Sequence, residues 1–416
     1  MSEKIKSRIL FSTILVSALM QSQFSFGAKG LHLKKHSSAE MEKLGEMIFN
    51  DPSLSQPGGQ ACVSCHMPMG SFTDISNSVS SIGANHKSFG NRNAPTIMYM
   101  KYSPPLELEV DDEDKTKMNY EGGLFWDGRA NTLEEQAKGP FLNPAEMAST
   151  KEYVAHGVCS SLSYGQLFRN IFGSSICNDA ITFGIPKPLF FVKQVDKIFD
   201  SVTKAIASFE RTDQFSPFSS KYDKVEAKME QFSDSERRGF ELFKNEKTAN
   251  CVACHVLEHE NAGPLPLFTD FSYDNLGVPA SPEIRARGHL TPDIGLAATT
   301  KRTEDKGKFK VPTLRNIART APYMHNGYFS SLKQVVDFYN TRDTKAVCPE
   351  AYTAEEATKS NCWPAPEISE NLNKKEMGDL KLSEQDVLDL VAFMETLNDG
   401  YWTPAQGWKQ PVSEKK

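Results

Sequence analysis

Apolar residues recur at spacings of three and four in several stretches of the chain, and this pattern predicts amphipathic helices there. Two of the helices have a marked start, because Ser233 is followed by Glu236 and Ser383 by Asp386, as in a capping box. The long stretches between the helices are rich in Gly, Pro and Asn, which is typical of loops. The predicted helices cover residues 39–49, 194–210, a segment beginning at Ser233, and 383–397.

Both halves of the chain follow one plan. A predicted helix leads through a loop to a C-x-x-C-H motif, and a second amphipathic helix closes the half. Helices at both ends of a unit that carries this motif are the layout of a c-type cytochrome domain. We therefore expect a mainly α protein with two such domains, long loops and one covalent haem in each. The predicted domains are residues 31–212 and 213–416, with the boundary in the polar stretch 212–220.

The first residues resemble an export signal. Lys4, Lys6 and Arg8 precede an apolar stretch of 12 residues, and the small residues Ser25 and Gly27 offer a cleavage site. A membrane-spanning helix needs roughly 20 apolar residues, so an uncleaved anchor is the weaker alternative. The sequence predicts a signal peptide at residues 1–27 and a periplasmic protein without stable membrane insertion.

The two C-x-x-C-H motifs carry the clearest chemistry. Two thiols at this spacing can each form a thioether to a haem vinyl group, while the adjacent His becomes an axial ligand of the iron. A redox dithiol or half of a zinc site is the competing interpretation, but it does not require the His. The predicted attachment residues are Cys62, Cys65 and His66 in the first half and Cys251, Cys254 and His255 in the second.

The net charge and the remaining cysteines indicate which partners and which compartment suit the protein. The formal net charge is −6, which disfavours nucleic acid and favours a basic patch on a small redox protein as a partner. The acidic run at residues 107–114 is most simply a solvated loop, with a docking site as the alternative. In an oxidising compartment the other cysteines favour disulfides, and the simplest pairs are Cys159 with Cys177 and Cys348 with Cys362, buried free thiols being the alternative.

Several further motifs, taken together and in order, resemble the bacterial di-haem cytochrome c peroxidase family, which includes MauG. The likeness covers nearly the whole chain after the export signal. It implies a peroxidatic haem in the first half and an electron-transfer haem in the second. The motifs are Arg92-Asn93-Ala94-Pro95, Phe125-Trp126-Asp127-Gly128-Arg129-Ala130, residues 133–137, Asn143-Pro144-Ala145-Glu146-Met147 and Val311-Pro312-Thr313-Leu314-Arg315-Asn316.

The resemblance assigns catalytic roles around the first haem. Gln136 and Glu146 match the distal pair of the family. Cleavage of peroxide needs a proton to move from one oxygen to the other, which a carboxylate can do as base and then acid, while Gln orients the peroxide. Trp126 matches the tryptophan between the two haems, and a packing role is compatible with that position.

The second haem differs from that of the family's electron-fed peroxidases. Fourteen residues after His325 those enzymes have an axial Met, whereas this chain has Tyr339, as MauG-like proteins do. A Met thioether favours ferrous iron, and a phenolate oxygen favours higher oxidation states. The resemblance thus implies Tyr339 as the axial ligand of a haem that stores oxidising equivalents, with Met324 or another Met as the alternative ligand if Tyr339 only packs in its helix.

Two further metal contacts are implied only by the resemblance. Family members close the first iron with a loop histidine, but His86 lies two positions later than their pattern, so an exposed loop position is the alternative. Asn93, Thr320 and Pro322 match positions that hold an inter-domain calcium ion through oxygen atoms, and a structural role without metal is the alternative.

These expectations combine into a periplasmic di-haem peroxidase that reduces hydrogen peroxide to water. Its electrons would come from a small cytochrome or copper protein. One alternative is a MauG-like enzyme that oxidises residues of a partner protein, and a second is a pure electron carrier whose irons are both closed. The expected cofactors are two covalent haem c groups and one calcium ion, and a homodimer is compatible with the resemblance.

Overall fold

The fold is described from a computed structural model, which covers residues 37–76, 78–110, 118–178, 189–258 and 263–401. The side chains of residues 189–193 are outside this description. The predicted signal peptide and residues 111–114 of the acidic run also lie outside the described residues.

Helices form most of the regular structure, as the sequence predicts, and long irregular segments connect them. In the described residues they are α1 Ser38–Phe49, α2 Cys62–Cys65, α3 Leu133–Leu142, α4 Lys151–Ser160, α5 Gly165–Phe172, α6 Leu189–Glu210, α7 Lys221–Glu226, α8 Asp234–Lys244, α9 Pro282–Ala286, α10 Ala297–Thr300, α11 Leu332–Thr341, α12 Ala354–Lys359 and α13 Glu384–Glu395.

The strands are short and lie at the edges of the helical units. The expectation of a loop over the acidic run was wrong for residues 107–110, which form an exposed strand because their backbone pairs with residues 118–121. The strands are β1 Glu107–Val110 antiparallel to β2 Met118–Glu121, β3 Tyr273–Asp274 antiparallel to β4 Phe309–Lys310, and β5 Ala346–Val347 parallel to β6 Cys362–Trp363.

Helices α1, α6, α8 and α13 confirm the four predicted amphipathic helices. The two capping boxes form as expected: the Ser233 hydroxyl accepts a hydrogen bond from the Glu236 amide, and the Ser383 hydroxyl accepts one from the Asp386 amide. The apolar faces of these helices are buried, so local pattern and tertiary packing agree there.

Each half is built on a crossing of its first and last long helices. In the first half, a Cβ atom on Gly45 of α1 would lie 1.9 Å from the Ala205 carbonyl of α6. In the second half, a Cβ atom on Gly239 of α8 would lie 1.9 Å from the Asp389 carbonyl of α13. Only glycine permits such close backbone contact, so both crossings require it.

A second repeated unit follows each C-x-x-C-H motif. Ala94-Pro95-Thr96 corresponds to Val311-Pro312-Thr313, and in both the Thr hydroxyl donates to a main-chain carbonyl at 2.6 Å, that of Ser71 in one half and Leu267 in the other. Four residues after the Thr of each segment a 3₁₀ turn begins, at residues 100–102 in one half and 317–319 in the other. Asn93 and Lys310, which precede the two segments, are therefore counterparts.

A third repeated unit consists of a tight loop and a helix. Residue pairs Leu124 with Ala130 and Tyr323 with Phe329 form matching bridges, and each loop leads into a ten-residue helix, α3 or α11. Aligning these bridges pairs Trp126 with His325. The helix ends agree, because the amide of Asn143 donates to the Gly139 carbonyl and that of Arg342 to the Phe338 carbonyl. The same alignment makes Pro140 of α3 the counterpart of Tyr339 of α11.

Both predicted disulfides are present. Cys159 and Cys177 are bonded, with their Cα atoms 5.5 Å apart, and Cys348 and Cys362 are bonded, with theirs 5.1 Å apart. The four motif cysteines are not in disulfides.

The buried side chains form two main clusters. One is centred on α1, α4 and α6, and the other on α8, α11 and α13. Leu267 and Phe271 of the second half join the first cluster, so packing is continuous across the boundary predicted at residues 212–220, which stays a prediction. In the described part of the chain, none of the helices combines the length and apolar character needed to cross a membrane.

Candidate haem and peroxide sites

The first motif presents its histidine from the end of α2. The His66 amide donates to the Cys62 carbonyl at 2.9 Å, and the His66 Nδ1 atom lies 2.9 Å from the Phe72 carbonyl oxygen. A histidine whose Nδ1 is engaged in this way presents Nε2 as the free nitrogen for a metal. Burial lowers the pKa of His66, which favours the neutral imidazole that binds iron.

The second motif repeats this geometry. The His255 amide donates to the Cys251 carbonyl at 2.9 Å, and His255 Nδ1 lies 2.8 Å from the Phe268 carbonyl oxygen. Burial lowers the pKa of His255 to about 4. Both motifs therefore hold two thiols and one neutral imidazole in the arrangement that covalent haem attachment requires.

A large cavity opens in front of the second motif. Its walls are mostly apolar, and Cys251, Cys254 and His255 lie in them together with Tyr339. The residues present fit a haem, because the cavity combines an apolar lining with both thiols and an available imidazole. The structure thus brings Tyr339 into the cavity of the second motif, as expected for an axial ligand, and burial raises the pKa of its hydroxyl.

Trp126 lies in the wall of this same cavity. Its indole Nε1 donates to the Asn93 carbonyl at 2.9 Å, and its own carbonyl accepts a hydrogen bond from the Lys310 amide at 3.0 Å. The side chain of a first-half loop is therefore held against the second motif by contacts with both halves.

Glu146 is a half-buried carboxyl group near the first motif. The Asn143 amide group donates to its Oε1 atom at 2.7 Å. Burial raises the pKa of Glu146, while this hydrogen bond and the positive charge of Arg129 oppose the rise. The negative charge of Glu146 in turn helps to raise the pKa of the Cys62 and Cys65 thiols, as expected for a carboxylate close to them.

Gln136 and Pro140 lie on α3, one turn apart, and Gln136 is half-buried. Glu146 follows the end of the same helix, so one helix and its C-terminal turn supply both predicted distal residues. The counterpart of Pro140 in the second half is the candidate ligand Tyr339. Proline offers no atom that could bind iron, which distinguishes the first site from the second.

His86 lies on an exposed turn. Its amide donates to the Gly83 carbonyl at 2.9 Å, and its φ angle is 54°. The turn is anchored near Glu146, because the Ala84 amide donates to the Glu146 carbonyl at 2.7 Å. The side chain of His86 is directed to solvent in this arrangement, which corresponds to the alternative of an exposed loop histidine.

The three residues predicted to hold calcium all line the second cavity. Asn93, Thr320 and Pro322 all lie there, although they come from different halves. The Asn93 amide donates to the His325 carbonyl at 2.7 Å, which ties this segment of the first half to a loop of the second. Among the described residues there is no cluster of three or more His, Cys, Asp or Glu side chains suited to a metal, so a cation here would bind amide, hydroxyl and carbonyl oxygens.

The sequence predicted no role for three residues that lie close to these sites. Lys310 is a buried lysine in the wall of the second cavity, and Glu210 is a buried carboxyl whose negative charge raises the pKa of the Cys62 thiol. His325 is buried, stacks on Phe309 at 3.5 Å, and leaves its Nε2 atom without a hydrogen-bond partner among the described residues. The sequence signal that could have found Lys310 is the repeated Pro-Thr pair that follows it and Asn93. For His325 the signal is the Asn-Gly pair that follows it, as Asp-Gly follows Trp126.

Comparison with known proteins gives one family. Residues 39–231 match the family model described as di-haem cytochrome c peroxidase. The methylamine utilization protein MauG of Paracoccus denitrificans (strain Pd 1222) is 35% identical over 372 residues, which cover 87% of this chain and 89% of that protein. The cytochrome c551 peroxidase of Nitrosomonas europaea is 36% identical over 303 residues, 72% of each chain.

A solved structure agrees with these relatives. The diheme peroxidase BthA from Burkholderia thailandensis E264 superimposes with a TM-score of 0.70 at 28% identity, covering 88% of this chain and 87% of that one. With paired haem-attachment motifs, a half-buried carboxyl beside the first and this degree of similarity, the chain belongs to the di-haem cytochrome c peroxidase family and is an oxidoreductase that acts on peroxide.

Proposed function

We propose that hydrogen peroxide is reduced to water at a haem attached to Cys62 and Cys65 and ligated by His66. A second haem, attached to Cys251 and Cys254, would be the electron-transfer group. The observation that carries this assignment is the difference between two otherwise repeated sites. The second contains Tyr339 as a potential ligand, whereas the first has Pro140 at the corresponding position and the half-buried Glu146 nearby.

In this proposal a haem held by Cys62, Cys65 and His66 would supply the binding position for peroxide and the electrons that reduce it. Glu146 takes the proton from one peroxide oxygen and returns it to the other, which is the leaving oxygen. Asn143 holds the carboxylate for both steps through its hydrogen bond. Gln136 orients the peroxide without adding charge. The balance is one peroxide, two electrons and two protons for two waters.

Trp126 would couple the two redox groups. Its place in the wall of the second cavity, on a loop that leads directly into the helix of Gln136, supports this role. An indole between two haems can serve as a stepping point for an electron. The external donor would be a small cytochrome or copper protein with a basic face, since this chain has a net charge of −6.

A MauG-like activity is the second candidate, and Tyr339 is the observation that favours it. An oxygen ligand stabilises oxidised iron more than a Met thioether does. The second haem would then hold oxidising equivalents for a residue of a partner protein instead of accepting electrons from a donor. The similarity to MauG of Paracoccus denitrificans supports this candidate.

A calcium ion bound by Asn93, Thr320 and Pro322 would complete the contact between the halves. Oxygen ligands of this kind suit calcium. Because Asn93 also accepts the indole hydrogen bond of Trp126 through its carbonyl, the ion would fix the residue that couples the haems.

The periplasm is the proposed location. The two disulfides are typical of an oxidising compartment, and the predicted export signal agrees with them. A homodimer stays a prediction.

Replacement of the proposed acid–base group tests the function. Glu146→Gln should lower the rate of peroxide reduction by about 100-fold or more while leaving the haem content at two per chain. The matched control is Glu135→Gln, which removes the same charge from an exposed position on α3. The measurement is peroxide consumption with a reduced cytochrome as donor, together with haem quantification. An unchanged rate in Glu146→Gln would remove this residue from the mechanism.

Electron paramagnetic resonance of the resting ferric protein separates the candidates. A high-spin signal beside a low-spin one would agree with an open first iron. Slow decay of the oxidised state after one equivalent of peroxide, with no donor present, would favour the MauG-like candidate over the peroxide scavenger. Low-spin signals alone, with no reaction in any redox state, would leave only an electron carrier.

A further inference from the structure

Lys310 is buried in the interior between the two halves, with 8% of its surface exposed. Its ammonium group donates hydrogen bonds to the Ser103 hydroxyl and the Gly123 carbonyl. The same nitrogen lies 5.1 Å from the centre of the Phe271 ring, within the range of a cation–π contact. Burying an ammonium costs free energy unless oxygen atoms or a π face replace its hydration, and these three groups do so.

The internal repeat gives these residues counterparts. Lys310 corresponds to Asn93, because both precede the repeated Pro-Thr segment. Ser103 corresponds to Thr320, because each ends a 3₁₀ turn by donating its amide to the carbonyl three residues earlier, at 3.2 and 3.3 Å. Gly123 corresponds to Pro322, because each precedes the residue that opens the repeated bridge.

The counterparts of the lysine and its two oxygen partners are therefore the three residues of the candidate calcium site. The backbone contacts repeat as well. The Asn93 amide donates to the carbonyl of His325, and the Lys310 amide donates to the carbonyl of Trp126, which is the counterpart of His325. The positions of Asn93 and Lys310 are therefore equivalent, because each bonds through its amide to the repeated loop of the other half.

We propose that the Lys310 ammonium is a built-in cation at the position that corresponds, in the other half, to the calcium ion. This inference rests on the calcium site proposed above. One position is filled by a side chain that brings its own charge. The other has Asn93, which brings only an oxygen and so requires a cation from solution.

The built-in charge acts as a positioning device for Trp126. It ties Gly123, at the start of the Trp126 loop, to Ser103 without the need for a metal. Burial lowers the pKa of Lys310 to about 7, while the carboxylates of Glu121 and Asp270 favour the charged form. Tyr273, opposite Lys310 in the β3–β4 pair, instead donates its hydroxyl hydrogen to the Gly122 carbonyl at 2.6 Å.

Exchange of the residue types at Lys310 and Asn93 tests the proposal. Lys310→Asn replaces the ammonium by an amide oxygen and should create a second calcium position, with an affinity at least about tenfold above any calcium binding by the control Lys308→Asn. Lys308 lies on the same segment but is paired with Asp305 at 3.5 Å. Asn93→Lys should fill the native position with a side chain and abolish calcium binding there. The measurements are calcium stoichiometry by metal analysis and calorimetric titration with calcium chloride on the haem-loaded protein.

The outcomes of this experiment separate the two proposals. If the unaltered protein binds no calcium but Lys310→Asn binds one ion, the calcium site proposed for Asn93 fails and the cation role of Lys310 is supported. If Lys310→Asn gains no calcium, the cation role is overturned. Lys310→Met covers the case of a poorly folding variant: its lowered melting temperature should not respond to calcium, whereas that of Lys310→Asn should recover. Equal responses of the two variants would also overturn the proposal.

Discussion

The two halves share a scaffold but differ in the chemistry they add to it. In both, a glycine allows two helices to cross, and the motif histidine has its Nδ1 atom within 2.9 Å of a main-chain carbonyl. The differences lie at corresponding positions: Pro140 in place of Tyr339, Glu210 in place of Met394, and Asn93 in place of Lys310. At these positions the first half has a proline, a carboxyl group and an amide, where the second has a phenol, a thioether and an ammonium group.

This comparison indicates how one cytochrome frame can support two roles. The parts that bind haem are determined by short segments that recur almost unchanged. In the proposed function, single residues on the helix after each repeated loop decide whether an iron is open or closed. Reactivity can therefore change by substitution at these positions without altering the attachment motif.

Pro140→Tyr tests this idea most directly, by giving the first half the ligand residue of the second. A phenol oxygen at this position should close the first iron, so peroxide reduction should fall by at least about 100-fold, comparable to the loss of acid–base catalysis. Steady-state peroxide assays and the high-spin resonance signal, which should disappear, are the measurements.

Pro140→Ala is the matched control, since it removes the proline ring without providing a ligand. It should keep the high-spin signal and most of the activity. Equal losses in the two variants would attribute the effect to the shape of α3, and the correspondence between Pro140 and Tyr339 would have no functional meaning.

The parts of this molecule that the sequence predicted are those encoded by local pattern. The Ser233 and Ser383 caps, the four amphipathic helices and both C-x-x-C-H motifs depend on residues a few positions apart. The disulfides Cys159–Cys177 and Cys348–Cys362 close short loops, so proximity along the chain was sufficient to predict them.

The remaining features depend on contacts between distant segments. Lys310 lies beside Trp126 because its amide donates to the Trp126 carbonyl of the other half, and no periodicity of residues 309–310 could indicate this. The strand at 107–110 forms because residues 118–121 pair with it. The motifs around Gln136, Glu146 and Tyr339 were recognised by resemblance, whereas their relation as repeated elements required the bridges and helix ends of the structure.

Glu210→Met sharpens the comparison at the helix crossing. Glu210 follows Phe209, and Met394 follows Phe393, the residues that contact Gly45 and Gly239. Burial raises the pKa of Glu210 from 4.5 to about 8, and the Glu134 charge adds to the rise while Arg211 opposes it. The folded protein keeps a proton that the unfolded chain releases, so this residue lowers stability as pH rises from about 5 to 8.

The size of this effect follows from the proton affinity. Each tenfold difference in proton affinity between the folded and unfolded states is worth about 1.4 kcal/mol. Glu210 should therefore lower the free energy of unfolding by up to about 4 kcal/mol at pH 8. Glu210→Met should remove that part of the pH dependence in guanidinium denaturation, and Met394→Glu should introduce it in the second half. Parallel pH profiles for the unaltered protein and Glu210→Met would contradict the assignment.

His86→Ala should have the smallest effect of these changes. The histidine lies on an exposed turn, so its removal should leave the resting resonance spectrum and the peroxide rate unchanged. The turn itself is held by main-chain contacts to Glu146 and by the Asn85 side chain, which accepts hydrogen bonds from the Lys87 and Ser88 amides at 2.9 and 2.8 Å. If His86→Ala instead converts a low-spin first haem to a high-spin one, the turn must rearrange to bring the imidazole to iron. The first half would then have a mobile ligand, where the second has the helix-bound Tyr339.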